Sequence, residues 1–303
     1  MSKTFITLPN PNIPKEQVGN VIYGIFGHLG SPFMYIAVLA IVGVTAWSAL
    51  WVFLAVSAFF IVFTLLAEKY DPAIILPKPT LIEIWKGMGV VFFKGILVGG
   101  GLVTSGWWLL SHFPLYGELF NNWWLIIAAT FLTDLAYYLI HRNISHSKGN
   151  HAFLKYYRRQ HAAHHSVSEM DFLRGNQSSL VDTAISQFQP SLIFISWAMG
   201  MDLGPTLVAY GLILALQATD HTNITFNIGW LSYLFMDNHA HKLHHCKRGN
   251  LINHAAAFSI YDRLLGTYYE DWNLSSNYLH HHRIALPIKP APTNIPEPAM
   301  ANA

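Results

Sequence analysis

Across residues 17–67 the chain carries no Lys, Arg, Asp or Glu, a run more than twice as long as one helix needs to cross a bilayer. Backbone threaded through hydrocarbon must satisfy its own N–H and C=O groups, so such a run folds as helices. Composition agrees, with 52% hydrophobic and 11% charged residues, against roughly 25% charged in soluble domains. The sequence therefore describes an integral, multi-pass membrane protein. Its polar, proline-bearing start, MSKTFITLPNPNIPKE, argues against a cleaved secretory signal. A single cysteine, Cys246, rules out an intrachain disulfide. The net charge of +2 gives no basis for nucleic-acid binding.

Residues 32–66 would extend about 50 Å as one helix. They are read as a hairpin or strongly tilted pair turning near Trp47 and Ser48. A further span runs from about 87 to 110, with Lys94 its only formal charge and the triplet Gly99, Gly100 and Gly101 allowing close packing. Residues 122–140 form the next span and deliver the chain into His141; their one acid, Asp134, lies seven residues earlier, near the same helical face. An ionisable group at that depth is a functional candidate. The apolar stretch 190–217 is broken by Gly200, Asp202, Gly204 and Pro205, which suggests two half-length helices dipping into the membrane. The expected organisation is a polar N-terminal segment over 1–30, transmembrane helices over 31–124, a histidine-rich domain over 125–270 and a proline-rich tail over 271–303. The fold class is all-α: a polytopic membrane helix bundle of about four spans plus short re-entrant helices, under a helical histidine-rich cap holding a di-metal site.

Histidine is the second constraint. Six of the seventeen histidines fall within residues 141–165. If helical, His161, His164 and His165 sit at i, i+3 and i+4 and share one face. The same spacing recurs at His241, His244 and His245. Packed imidazoles without a metal would leave unpaired polar nitrogens at the membrane edge, at about 1 to 3 kcal/mol each. Imidazole suits iron, zinc, copper or nickel, and the near absence of cysteine argues against a structural zinc finger. The two triplets with His141 and His146 supply eight donors, twice what one tetrahedral ion requires, and two ions sharing a cavity use them most simply. Twelve of the eighteen Lys and Arg residues follow residue 140, which places the histidines on the cytoplasmic side, of a bacterial inner membrane or of the endoplasmic reticulum. Both groups can face that side only if an even number of complete crossings, zero or two, separates residues 140 and 221.

The segments TDLAYYLIHRNISH, QHAAHHS, HTN and HKLHH, closed by FSIYDRLLGTYYED, resemble the histidine boxes of the fatty acid hydroxylase and sterol desaturase superfamily. The resemblance covers about residues 125–270. It implies an integral membrane enzyme with two iron ions that uses O2 and electrons from an external donor to hydroxylate or desaturate a C–H position of a lipid. The lipid could be a sterol, a fatty acyl chain, or a sphingoid or ether lipid. Position by position, it implies His141 and His146 as ligands from the first box, His161, His164 and His165 from the second, His221 alone, and His241, His244 and His245 from the third.

Three departures stand out. The first box reads HRNISH, with four residues between its histidines where many relatives have three; five positions turn a regular helix by about 140°, so His146 is expected beyond a helix break. Ser179 and Leu180 stand where many relatives show a His-Pro pair. His254 occupies a position usually aromatic and is the spare imidazole that could serve as a replacement ligand. Asp134, Asn223 and Asp262 are the candidates for orienting histidine N–H groups. His151 and His239 are weaker candidates as ligands, and His280, His281 and His282 read as surface residues. No nucleotide motif, cysteine set or fused haem domain is present, so electrons are expected from a cytochrome b5-like or ferredoxin-like partner. Arg158, Arg159, Lys247 and Arg248 form a basic face that could dock it. The alternative is a non-catalytic or transport-type membrane metal-binding protein.

Overall fold

The computed structural model describes residues 18–70, 79–115, 117–166, 170–176, 178–186, 188–224, 228–246 and 251–269. Helix α1 (Val18–Val42) and helix α2 (Ala46–Tyr70) form the expected hairpin. Val18 is already helical, inside the stretch expected to be a polar segment but within the charge-free run. The hairpin turns at residues 43–45, slightly ahead of the expected point. Gly43 takes a left-handed φ of 84°, a conformation glycine adopts without steric cost. Thr45 and Ser48 then cap α2 reciprocally, Thr45 N donating to Ser48 Oγ at 2.8 Å and Ser48 N to Thr45 Oγ1 at 3.0 Å.

Helix α3 (Leu81–Gly89) starts on a capping box of Thr80 and Glu83. It runs through a π-helical segment (Val90–Gly99) into α4 (Gly100–Ser111), so the third apolar span covers Leu81–Ser111. Helix α5 (Trp123–Ile140) continues through a π-helical turn (His141–Ser145). Beyond it lie α6 (Ala152–Ala162), the short α7 (Phe172–Gly175), α8 (Phe188–Ala198), α9 (Leu203–Gln217), α10 (Asn238–His244) and α11 (Ile260–Leu264). Among the described residues, four helices are long and apolar enough to cross a membrane: Gly24–Val42, Ala46–Tyr70, Leu81–Ser111 and Trp123–Ser145. Among the described residues there is no strand, only an isolated bridge between Phe120 and Met201.

The apolar stretch after residue 188 is two short helices, as its Gly, Asp and Pro residues predict. Gly200 makes the turn at φ 64°, and the Asp202 side chain caps α9. Their tip reaches the far end of the bundle, where Phe120 N donates to Gly200 O at 2.7 Å, Trp197 Nε1 to Phe113 O, and Gly204 packs on Thr45. The chain thus goes down one helix and back up the other, and the histidine-bearing segments on either side meet at one end. Helix α9 lies at the centre, packed on α1, α2, α4, α5 and α8. Tyr35, Phe60, Val103, Leu125, Ala129, Leu192, Val208 and Tyr210 make the core between them. Outward-facing Trp47, Trp51, Trp85 and Trp123 are each more than 60% exposed, as lipid-facing side chains are. The expected tail and His280, His281 and His282 lie outside the described residues.

Candidate metal centre

Nine imidazoles converge at this end of the bundle in two groups. His141, His146, His161, His165 and His244 form the first; His164, His221, His241 and His245 form the second, with the donor atoms of each group within 4.8 Å of one another. The groups adjoin, since the His165 and His245 rings stack at 4.4 Å and His164 lies 4.6 Å from His245. Each HxxHH triplet is divided rather than shared as a unit. His161 and His165, at i and i+4, point into the first group and His164 into the second; His241 and His245 point into the second and His244 into the first.

His146 reaches the first group without a helix break. The chain after Ile140 winds as a π-helix, with His146 N donating to His141 O at 3.0 Å, an i→i+5 bond. This winding stacks residues five apart, and it brings His146 Nε2 to 3.1 Å from His141 Nε2. The expected helix end comes at His146, which caps the π-helix, and Arg158 then donates to the carbonyls of Ser147 and Gly149 and fixes the link to α6.

The ring tautomers follow from what the outer nitrogens touch. His141 Nδ1 lies 2.6 Å from the carbonyl oxygen of His254, and His244 Nδ1 lies 2.8 Å from that of Ile252. A carbonyl only accepts, so both Nδ1 atoms carry the proton and both Nε2 atoms present lone pairs. His161 Nδ1 donates to Asp182 Oδ1 at 3.2 Å. Yet His141 Nε2 is 3.0 Å from His161 Nε2, which is 3.0 Å from His165 Nε2, while His146 Nε2 is 3.1 Å from His244 Nε2. His141 and His161, whose Nδ1 atoms both face oxygen acceptors, thus turn two lone pairs toward one another, and a cation between them would satisfy both. In the second group His221, His241 and His245 present Nε2 atoms 3.1 to 3.3 Å apart, and the Nδ1 atoms of His241 and His245 are buried with no hydrogen-bond partner. With metal–nitrogen bonds of about 2.1 Å, donors at right angles lie about 3.0 Å apart and tetrahedral donors about 3.4 Å apart. The observed separations fit donors around a common ion. Burial, reinforced by neighbouring imidazoles, holds His165, His221, His241 and His245 well below the usual histidine range; it does the same for His244, where His254 is the largest neighbour contribution. They are therefore neutral, the form that binds metal.

His254 belongs to neither group. Its ring centroid lies 5.8, 5.6 and 5.5 Å from those of His141, His146 and His244, and its Nδ1 has no hydrogen-bond partner. Its backbone carbonyl holds His141 instead. His151 caps α6, its Nδ1 accepting from Phe153 N, and His239 lies on α10 outside both groups.

The expected orienting residues act one step away from the imidazoles. Asp134 accepts from Ala256 N, Ala257 N and Phe258 N at 3.3, 3.0 and 2.8 Å. Asp262 accepts from His254 N at 2.7 Å, Ala255 N at 2.8 Å and the Thr267 hydroxyl at 2.6 Å. These carboxylates thus hold the 254–258 backbone, and with it the carbonyl that fixes His141, because its clustered N–H groups have no regular ladder to satisfy them. Burial pushes Asp262 up to about 6. Asn223 is buried two residues beyond His221, and its backbone N donates to Glu68 Oε1 at 2.7 Å.

Two residues that do bear on the site were not singled out from the sequence. Asp182, a lone acid in the apolar run VDTAI, is the carboxylate on His161. Glu68, the first charge after the long apolar run, accepts from both Phe172 N at 2.8 Å and Asn223 N. Gly175 permits this closeness, since a Cβ there would lie 2.3 Å from His221 Cβ. Lys242, fully buried on α10, is drawn down to about 8 by burial, opposed by Glu68 and Asp237.

A cavity of about 190 Å³ reaches the second group. Its walls include Phe53, Leu54, Phe60 and Ile61 of α2, Phe92 of the π-helical segment and Leu214 of α9, and it ends on His164, His221 and His241.

An all-helical bundle with four bilayer-length helices and this histidine centre is a multi-pass membrane protein with a site able to hold metal. Residues 126–267, a little under half of the chain, match the family model described as fatty acid hydroxylase. Comparison with the curated proteins and with the solved structures returned no match.

Proposed function

We propose that the protein is an O2-dependent di-iron oxidoreductase that hydroxylates or desaturates a C–H position of a membrane lipid. The observation that carries this reading is the convergence of nine imidazoles into two adjoining groups, one of which faces a cavity opening among the membrane helices. The match of residues 126–267 to the fatty acid hydroxylase family model supports the same chemistry. His141, His146, His161, His165 and His244 would hold one ion, and His164, His221, His241 and His245 the other. Two irons so bound would supply the O2 and electron chemistry that no ordinary side chain can direct at an unactivated C–H bond.

The protein's own contribution is positioning and exclusion. Carbonyls 252 and 254 and the Asp182 carboxylate fix the Nδ1 protons of His244, His141 and His161, which aims their Nε2 lone pairs inward and raises their basicity. Phe53, Leu54, Phe60, Ile61 and Phe92 offer a water-poor wall for a hydrocarbon chain beside the second group. That group has the fewer donors and so the more room for other ligands. Electrons come from an external donor, and Arg159, exposed on α6, is part of the face proposed to receive it; Lys247 and Arg248 lie outside the described residues.

Lipid extracts from cells with and without the protein test this reading. A species gaining one oxygen or losing two hydrogens, dependent on iron and O2, is the expected result. Tight zinc binding with no iron-dependent product would instead favour a non-catalytic or transport-type metal protein.

A further inference from the structure

Asp182 is 2% exposed and accepts from His161 Nδ1 at 3.2 Å, so it is the carboxylate that aims one imidazole of the first group. An imidazole that binds metal is neutral; it occupies a lone pair of the carboxylate without answering its charge. A carboxylate buried this deeply is costly to hold unless an opposite charge lies near. Lys94 is placed to supply that charge. It lies near the middle of the 31-residue span Leu81–Ser111, on the π-helical segment, which packs against the turn Asp182–Ser186. Lys94 and Thr183, the residue after Asp182, line the same cavity, and Asp182 acts on Lys94 electrostatically. Tyr210 of α9 pins the winding that presents the lysine: its hydroxyl donates to Gly95 O at 2.6 Å, and Gly99 admits it where a Cβ would collide. A cation at mid-span is expensive, and it is retained where it faces the interior and meets a partner.

We propose that Lys94 is a positioning residue of the metal centre: its positive charge offsets the buried Asp182 carboxylate and holds it on His161, which strengthens His161 as a ligand of the first group. The inference rests on the first group holding one of the two proposed ions. Charge alone would act the other way, since a cation beside two metal ions repels them and its removal would tighten both sites. Acting through Asp182, its removal weakens the first site and spares the second. Asp220, which lines the same cavity, directly precedes His221 and so lies toward the second group; the two sites therefore report separately on the two carboxylates.

Competitive chelator titration of the full-length protein in nanodiscs, run with ferrous iron and separately with zinc, reads both sites without requiring turnover. Lys94→Met should weaken the first site about threefold to tenfold, short of the 10- to 100-fold expected when the carboxylate itself is lost, and leave the second unchanged. Lys94→Arg, which keeps the charge, should match the parent. In an Asp182→Asn background, with no carboxylate to hold, Lys94→Met should weaken the first site no further, whereas a merely structural lysine would cost the same in both backgrounds. An unchanged or tightened first site in Lys94→Met overturns the proposal. Equal weakening of both sites overturns it as a general loss of fold, and weakening of the second site alone overturns it by assigning the cation to Asp220. A parent protein that fills both sites with zinc and shows the expected pattern, yet forms no iron-dependent product, upholds the role of Lys94 and removes the proposed oxidation. A parent whose first group takes neither metal overturns both.

Discussion

At the scale of the residue, the centre is a problem of proton placement. Each imidazole must keep one nitrogen free inside the group and satisfy or bury the other. Where the outer nitrogen meets a carbonyl or a carboxylate, the tautomer is fixed. Asp182→Asn keeps the shape but weakens that hold on His161, so first-group metal affinity should fall about 10- to 100-fold with second-group affinity retained, as read by competitive chelator titration. His254→Phe removes a ring that neither group uses and keeps the backbone carbonyl on His141; two metals per chain and unaltered affinity are expected, and loss of one metal would make His254 a ligand after all. Acid should act through the same imidazoles. Burial lowers His254 to about 3 and holds His165, His221, His241, His244 and His245 well below 6.5. The unfolded chain therefore takes up protons first as pH falls, and the stability these groups contribute is lost below about 6.5. Asp262, raised from 3.8 to about 6, works in the opposite direction, its contribution being lost as pH rises through about 6. With the imidazoles in the majority, the melting temperature of the metal-free protein should drop between about pH 7.5 and 5.5. A flat or rising profile would contradict the neutral-imidazole picture.

At the scale of the element, departures from the regular α-helix do the positioning. HRNISH could not place both histidines on one face of an α-helix, and the sequence pointed to a break; a π-turn was the other solution, illegible because its stability comes from the packing around it. The HxxHH spacings did show that the imidazoles cluster. They did not show that each triplet is split, because that depends on how α6 and α10 face each other across the centre. Glu68 was hidden for a related reason: its partners are backbone N–H groups 104 and 155 residues away, which no local pattern encodes. Glu68→Ala should leave the N–H groups of Phe172 and Asn223 without an acceptor, at about 1 to 3 kcal/mol each, and loosen the segment carrying His221. We expect iron content to fall from two toward one per chain, with Glu68→Gln, which keeps an acceptor oxygen, close to the parent. Two tightly held irons in Glu68→Ala would make the contact purely structural.

At the scale of the whole molecule, the bundle gathers its histidines at one end because both flanking segments of the α8–α9 hairpin return there. The charge-free run and the Gly and Pro breaks made the number of spans legible, since bilayer thickness fixes helix length. The cavity was not legible, because its walls come from α2, the π-helical segment and α9, far apart in sequence. The nine imidazoles are proposed to form two separate ion sites. Anaerobic titration of the purified protein with ferrous iron tests it most directly, with His165→Ala and His245→Ala run alongside. Saturation at two irons per chain is predicted, with each variant losing one site and keeping the other. Saturation at a single iron, or loss of all metal from both variants together, would contradict two sites and reduce the centre to one.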